Sequence, residues 1–388
     1  MKKSVVLSCV VLFAAMALAA SAAAKETLII HHGWIQPSLD QLKTHVAEME
    51  AEAPFDGLVL RMGVTAVMSP NEIRYGDGPK DFLSKYRKIK FKRYKHNFAM
   101  TMADQAKPDW FSDKYWKVVA KNFATAADLV AKAEMDGLCF DPEGYGVYPV
   151  NSYWTSKYFL DQEAKPEWKG EKHTKEQYLE AARARGREVG TAMFAKNPKL
   201  RFWGLYLWSM GADLMGAFCN GLLDVIPKTA VIIDGDEWKG YCATGEGAYK
   251  NLEARAASGC GFLDKKHRAS YRHSGQLAVA FYMDFYTDVK QAIFNGNAEA
   301  FKNSAKLFKE NLRFAKQVTG DYIWVYGEKG QWWDMTNYKG ENKYPMWDAQ
   351  RPGVREALFK GRLAKSAAGG KGIQKNKNRN KTEKEKKK

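Results

Sequence analysis

Cysteine is scarce in this chain, with five in 388 residues. No two of them fall in a Cys-x-x-Cys or Cys/His spacing, so nothing suggests a zinc-stapled domain. Gly-x-Ser-x-Gly does not occur, which removes the usual mark of a serine nucleophile turn, and no glycine-rich phosphate loop is found. Beyond residue 24 there is no apolar run long enough to cross a bilayer. No internal repeat stands out. Aromatic residues, by contrast, are plentiful: 12 Trp and 19 Tyr exceed what a core requires. Flat rings that can also hydrogen-bond suit a ligand cleft or an interface.

The two ends differ from the middle. Lys2 and Lys3 precede an apolar run from Val5 to Ala20, and Ala22-Ala23-Ala24 gives a small-residue cleavage site. Residues 1–24 therefore read as a secretory signal peptide, and the mature protein is expected to be secreted or periplasmic. The four cysteines beyond it are Cys139, Cys219, Cys242 and Cys260. In an oxidising compartment they could form a disulfide, with Cys242–Cys260 the favoured pair, or remain free and buried. Residues 365–388 carry ten Lys and Arg against two Glu, roughly half of the formal +17. With almost nothing apolar, this segment reads as a disordered basic tail able to contact anionic polysaccharide or an envelope surface, or simply to solubilise. No specific nucleic-acid partner is expected.

Between them, residues 25–364 alternate strand and helix. Thr27–Trp34, Phe55–Met62, His96–Met102, Met135–Asp141, Arg201–Trp208, Thr229–Glu237, Leu277–Asp284 and Asp321–Glu328 read as strands. Helical spacing appears after Ser38, over Trp116–Ala133, after Thr174 and over Leu214–Ile226, Ala248–Ala257 and Ala298–Gln317. The segments 64–90 and 144–173 read as long irregular loops. Near-continuous apolar strands are those buried on both faces. Eight such units predict a single-domain α/β fold, a (β/α)8 TIM-type barrel.

Such a barrel keeps its chemistry at the C-terminal ends of its strands. There the sequence places His31, His32 and Trp34, then Arg61, then Asp141 and Glu143 followed by Tyr145. Asp234, Asp236 and Glu237 end the sixth strand, Asp284 the seventh, and Glu328 the eighth, with Trp332 and Trp333 beyond. Strand alternation puts Cys139, Asp141 and Glu143 on one face. Paired carboxyl groups walled by aromatics are what glycosidic-bond hydrolysis needs: one protonates the leaving oxygen, and another stabilises or captures the sugar cation. Glu143 is the expected acid, with Glu237, Asp234 or Glu328 as nucleophile or base. His31, Trp34, Arg61, Tyr145, Asp284, Trp332 and Trp333 are expected to hold substrate.

Asp136-Gly137-x-x-x-Asp141-x-Glu143-x-Tyr145 resembles the fourth-strand signature of chitinase-like (family 18) glycoside hydrolases, Asp-x-x-Asp-x-Asp-x-Glu followed by Tyr. The resemblance covers about ten residues, and Cys139 stands where the signature has its central Asp. It implies a (β/α)8 barrel in which Glu143 is the general acid and Asp141 orients a substrate N-acetyl group. An eighth-strand tryptophan that floors the sugar site would correspond to Trp332 or Trp333.

The expectation is thus an exported glycoside hydrolase that cleaves a polysaccharide or glycan by carboxylate chemistry, with no cofactor and no metal. Two alternatives remain: a non-catalytic carbohydrate-binding barrel, and a metal-dependent hydrolase built around His31 or His32. Against the second, none of the seven histidines falls at the fifth or sixth strand end, where barrel metallohydrolases keep theirs.

Overall fold

The computed structural model of the protein describes residues 26–33, 36–73, 77–103, 107–145, 151–287, 304–334 and 345–363. Residues 1–24, read above as a signal peptide, residues 365–388 and Trp34 lie outside them. The strands are β1 (Leu28–Gly33), β2 (Gly57–Ala66), β3 (Phe98–Met102), β4 (Gly137–Asp141), β5 (Arg201–Gly204), β6 (Val231–Asp234), β7 (Gly275–Leu277), β8 (Val279–Tyr282) and β9 (Tyr322–Gly327). All pair in parallel, β1 between β2 and β9, then β3 to β7 in order, with β8 on β9. The result is a nearly closed, TIM-like barrel.

The expected seventh strand is divided. β7 pairs with β6 and β8 with β9, and Ala278 joins the two segments, so the ring closes through the chain itself. Trp324 explains the break. Its indole N–H, inside the barrel, donates to the carbonyls of Ala278 (3.1 Å) and Gly235 (3.2 Å). A buried indole must find an acceptor, and here it takes a carbonyl at the junction of the two segments.

The described helices form where capping and periodicity indicated, and residues 298–303 of the expected Ala298–Gln317 helix lie outside the described residues. Ser38 and Thr174 each make a reciprocal capping box, opening Leu39–Glu52 and Lys175–Lys196. Both segments expected as loops carry helix instead. β2 continues to Ala66, and Asp77–Tyr86 is helical, burying Phe82 and Tyr86 one turn apart. Pro79 is tolerated because it sits in a first turn, where N–H groups have no partner within the helix. Farther on, Ser156–Glu163 is a helix capped by Thr155. No disulfide forms among the described residues either. All four cysteines are free, and the Cys260 thiol turns to the Arg255 carbonyl.

Helices Lys175–Lys196 and Asp213–Asp224 meet at two glycines. A methyl group on Gly221 would stand 2.1 Å from the Arg183 carbonyl oxygen, and one on Gly186 2.1 Å from that of Phe218. Both obstacles are backbone, so the helices would have to separate. Gly221→Val is expected to lower stability by about 2–3 kcal/mol through overpacking, read as a lower urea midpoint at unchanged slope. An unchanged midpoint would show that the crossing is looser than this.

Candidate active site

β4 ends at Asp141, whose Oδ1 accepts the Glu143 N–H at 2.9 Å. The carbonyl of Pro142, between the two acids, accepts from Trp154 Nε1 at 2.9 Å and Tyr153 OH at 3.4 Å. These buried rings clamp the loop from beneath. A side chain at Gly144 would enter the Tyr153 ring. With its backbone held, Glu143 presents its carboxyl upward, and Tyr145 OH donates to it.

β6 ends in a tighter device. Asp234, fully buried, accepts from the backbone N–H groups of Leu207, Ser209 and Asp236 and from the Ser209 hydroxyl. The chain then turns through Asp236 at φ +35°, a left-handed conformation uncommon for a non-glycine residue. Glu237 follows as the first residue of a short helix, and Tyr241 OH donates to its Oε1 at 2.9 Å. At the end of β9, Glu328 accepts from Tyr282 OH at 2.6 Å.

Glu143, Tyr145, Glu237 and Tyr326 form the wall shared by two cavities. The narrower, about 180 Å³, lies toward β1–β5 and is also lined by His32, Arg61 and Asp141. The wider, about 600 Å³, lies toward β6–β9 and is lined by Tyr206, Asp236, Trp238, Tyr282 and Glu328 among others. So much carboxyl in one place raises proton affinity. Burial, then the charge of Glu143, pushes Asp141 up to about 7, and the Glu143 N–H bond opposes this. Glu237 rises well above the usual carboxyl range, first through burial and then through the charges of Glu143 and Asp141, with the Tyr241 bond opposing. Asp236 rises to about 7 by burial and by Asp234, despite Arg255 at 3.5 Å. Two acids from different strands therefore hold protons near neutral pH next to Glu143, an arrangement suited to proton donation.

Of the residues the sequence singled out, Asp141, Glu143, Glu237, Tyr145 and Arg61 meet at the narrow cavity, and Glu328 lines the wide one. Asp234 and Asp284 line neither. Asp284, also fully buried, accepts from the backbone of Glu328 and Lys329 and so shapes the turn after β9. His31 points the other way, packed against Phe55, Trp332 and Trp347. Trp332 is buried in that same cluster, and Trp333 rests beside His45 on the first helix, so neither floors the cleft. The histidine that does reach it is His32, enclosed by Trp203, Trp324 and Tyr326. Burial, then Arg61, lowers it to about 3, so its ring is neutral at any working pH. Alternation along β1 could have separated the two histidines, had the inward face been known. Tyr206, Tyr241 and Tyr326 carried no sequence signal beyond the abundance of tyrosine. Among the described residues, no group of three His, Cys, Asp or Glu side chains could hold a metal ion, and no helix is long and apolar enough to cross a membrane.

No protein-family model matches the chain, and no curated protein does. Solved structures match over most of its length at low identity. A GH18 chitinase from Pseudoalteromonas aurantia is 6% identical with a TM-score of 0.38, covering 86% of this chain and 100% of that one. A D-psicose 3-epimerase from Clostridium cellulolyticum H10, solved with D-tagatose, is 10% identical with a TM-score of 0.39, covering 87% and 98%. A GH5-4 broad-specificity endoglucanase from Bacteroides salanitronis is 12% identical with a TM-score of 0.43, covering 88% of each chain.

Proposed function

We propose that the protein is an exported carbohydrate-active enzyme, a glycoside hydrolase that cleaves a glycan with paired carboxyl groups at the C-terminal face of its barrel. The observation that carries this reading is the shared wall, where Glu143 and Glu237 from different strand ends face the same aromatic-lined space. Glu237, kept protonated by burial and by its acidic neighbours, donates to the glycosidic oxygen. Glu143, fixed by the clamp on Pro142, is the carboxylate that meets the developing sugar cation or activates water against it. This exchanges the roles expected from sequence, because burial and the neighbouring acids hold a proton on Glu237. Asp141 and neutral His32 hold sugar hydroxyl groups in the narrow cavity. The lysine pair, apolar run and alanine triplet of residues 1–24 support export.

Release of reducing ends from a panel of polysaccharides tests the reading, with Glu143→Gln run alongside. Release that disappears in the variant is expected. No release from any glycan, or equal release by both proteins, would overturn it.

A further inference from the structure

The wide cavity has a feature that proton transfer does not require. The two most exposed large apolar side chains among the described residues are Trp238, 57% exposed, and Tyr145, 50% exposed. Both line this one cavity. An indole that much in water contributes little to the fold, and large exposed apolar surface commonly marks a binding site. Its position is set at a cost: Asp236 adopts a left-handed backbone immediately before Glu237 and Trp238, and Asp234 ties that turn to the loop after β5 by accepting from the N–H groups of Asp236, Leu207 and Ser209. Strain of this kind persists where the surroundings over-determine it, and it concentrates at ligand sites. The turn that delivers the acid to one side of the wall thus delivers a flat ring to the other.

The polar lining narrows the ligand class. Four acids, Glu143, Asp236, Glu237 and Glu328, share the wide cavity with a single cation, Lys239. Asp236 is held up to about 7, so it can donate to hydroxyl groups, as can Tyr206. A uronate or sulfate there would bring a further negative charge against four acid side chains and one lysine, and would raise the cost of ionising each acid.

We propose that the wide cavity binds the leaving-group side of an uncharged glycan chain, with Trp238 as the stacking platform for the sugar beyond the scissile bond. The narrow cavity takes the sugar whose bond breaks. This rests on the hydrolase reading above and adds the substrate class and the direction in which the chain runs.

The experiment uses the full chain and neutral gluco-, xylo- and N-acetylglucosamine oligosaccharides of two to six units. An oligogalacturonide serves as the charged probe, and an aryl monoglycoside of the cleaved sugar as the short substrate. The wild type is expected to cleave longer neutral oligosaccharides faster than the aryl glycoside and to leave the galacturonide untouched. Trp238→Ala should lower the ratio of kcat/KM on the long substrate to that on the short one at least tenfold, mostly through KM, and Trp238→Phe should restore most of it. A ratio unchanged in Trp238→Ala, or preference for the galacturonide, overturns the proposal. Calorimetric titration of Glu143→Gln with the same oligosaccharides, with and without Trp238→Ala, decides the binding claim independently of turnover. If no glycan is cleaved but Trp238→Ala weakens neutral-oligosaccharide binding tenfold, the hydrolase reading fails and this site stands. If binding is equal in both proteins, the site falls.

Discussion

Glu237→Gln is expected to lower kcat on an unactivated glycan by about 10²–10⁴-fold, the usual contribution of a positioned acid, and to lower it far less on an aryl glycoside. A sugar oxygen is a poor leaving group until it is protonated, whereas a phenolate departs without help. The loss should therefore depend on the leaving group, and that dependence identifies a proton donor. Glutamine keeps the shape and can still accept from Tyr241 OH, so the change removes the proton with little else.

The pH profile gives a second test of the same carboxyl. Burial and the charges of Glu143 and Asp141 raise Glu237 well above the ordinary carboxyl range. The donor is competent below that raised value, so wild-type activity on the glycan should fall as pH rises through it. This alkaline limb should be missing from Glu237→Gln. Tyr241→Phe removes a bond that lowers the pKa of Glu237 and should move the limb to higher pH. Equal loss on both substrates would show that Glu237 does not supply the proton. The same leaving-group series on Glu143→Gln would then show whether that residue does.

Much of this centre could be read along the chain, and the reason is local. Asp141 and Glu143 lie two apart at the end of an apolar strand, and alternation places them on one face. Glu237 stands at the end of another apolar run. What escaped the sequence was direction in three dimensions. His31 and His32 are neighbours in the chain, but only His32 faces inward, a parity fixed by β1 pairing with β9 so that His32 lies opposite Tyr326. Trp332 and Trp333 follow β9, yet the chain folds them back over the first helix, where His31 and Phe55 already form an aromatic cluster. Asp234 has the same chemistry as Glu237 three residues later. It differs in being fully occupied by the turn it supports, and residue type says nothing of that. The break at Ala278 likewise depends on a ring 46 residues away.

Asp141→Asn is expected to make the protein more stable at pH 8 while reducing its activity. In the folded chain Asp141 titrates near 7, against an ordinary value of 3.8. Between those two values the folded state holds a proton that the unfolded state releases, so stability falls as pH rises through the window. Above it, the folded protein bears the full cost of a buried charge beside Glu143 and Glu237. At pH 8 that cost is on the order of 2–4 kcal/mol, which corresponds to a Tm difference of roughly 3–6 °C in a domain of this size. Asparagine has nearly the same volume, and its carbonyl oxygen can still accept the Glu143 N–H, so the loop keeps its anchor while the charge disappears. The gain should shrink as pH falls, be mostly gone at pH 4 and vanish at about pH 3, where Asp141 is neutral in the folded chain and largely so in the unfolded one. An equal gain at pH 4 and pH 8 would mean that the substitution improves packing and that no buried charge is being carried. Activity should drop at every pH, because the proposed hydrolysis draws on the same crowding of acids that weakens the fold.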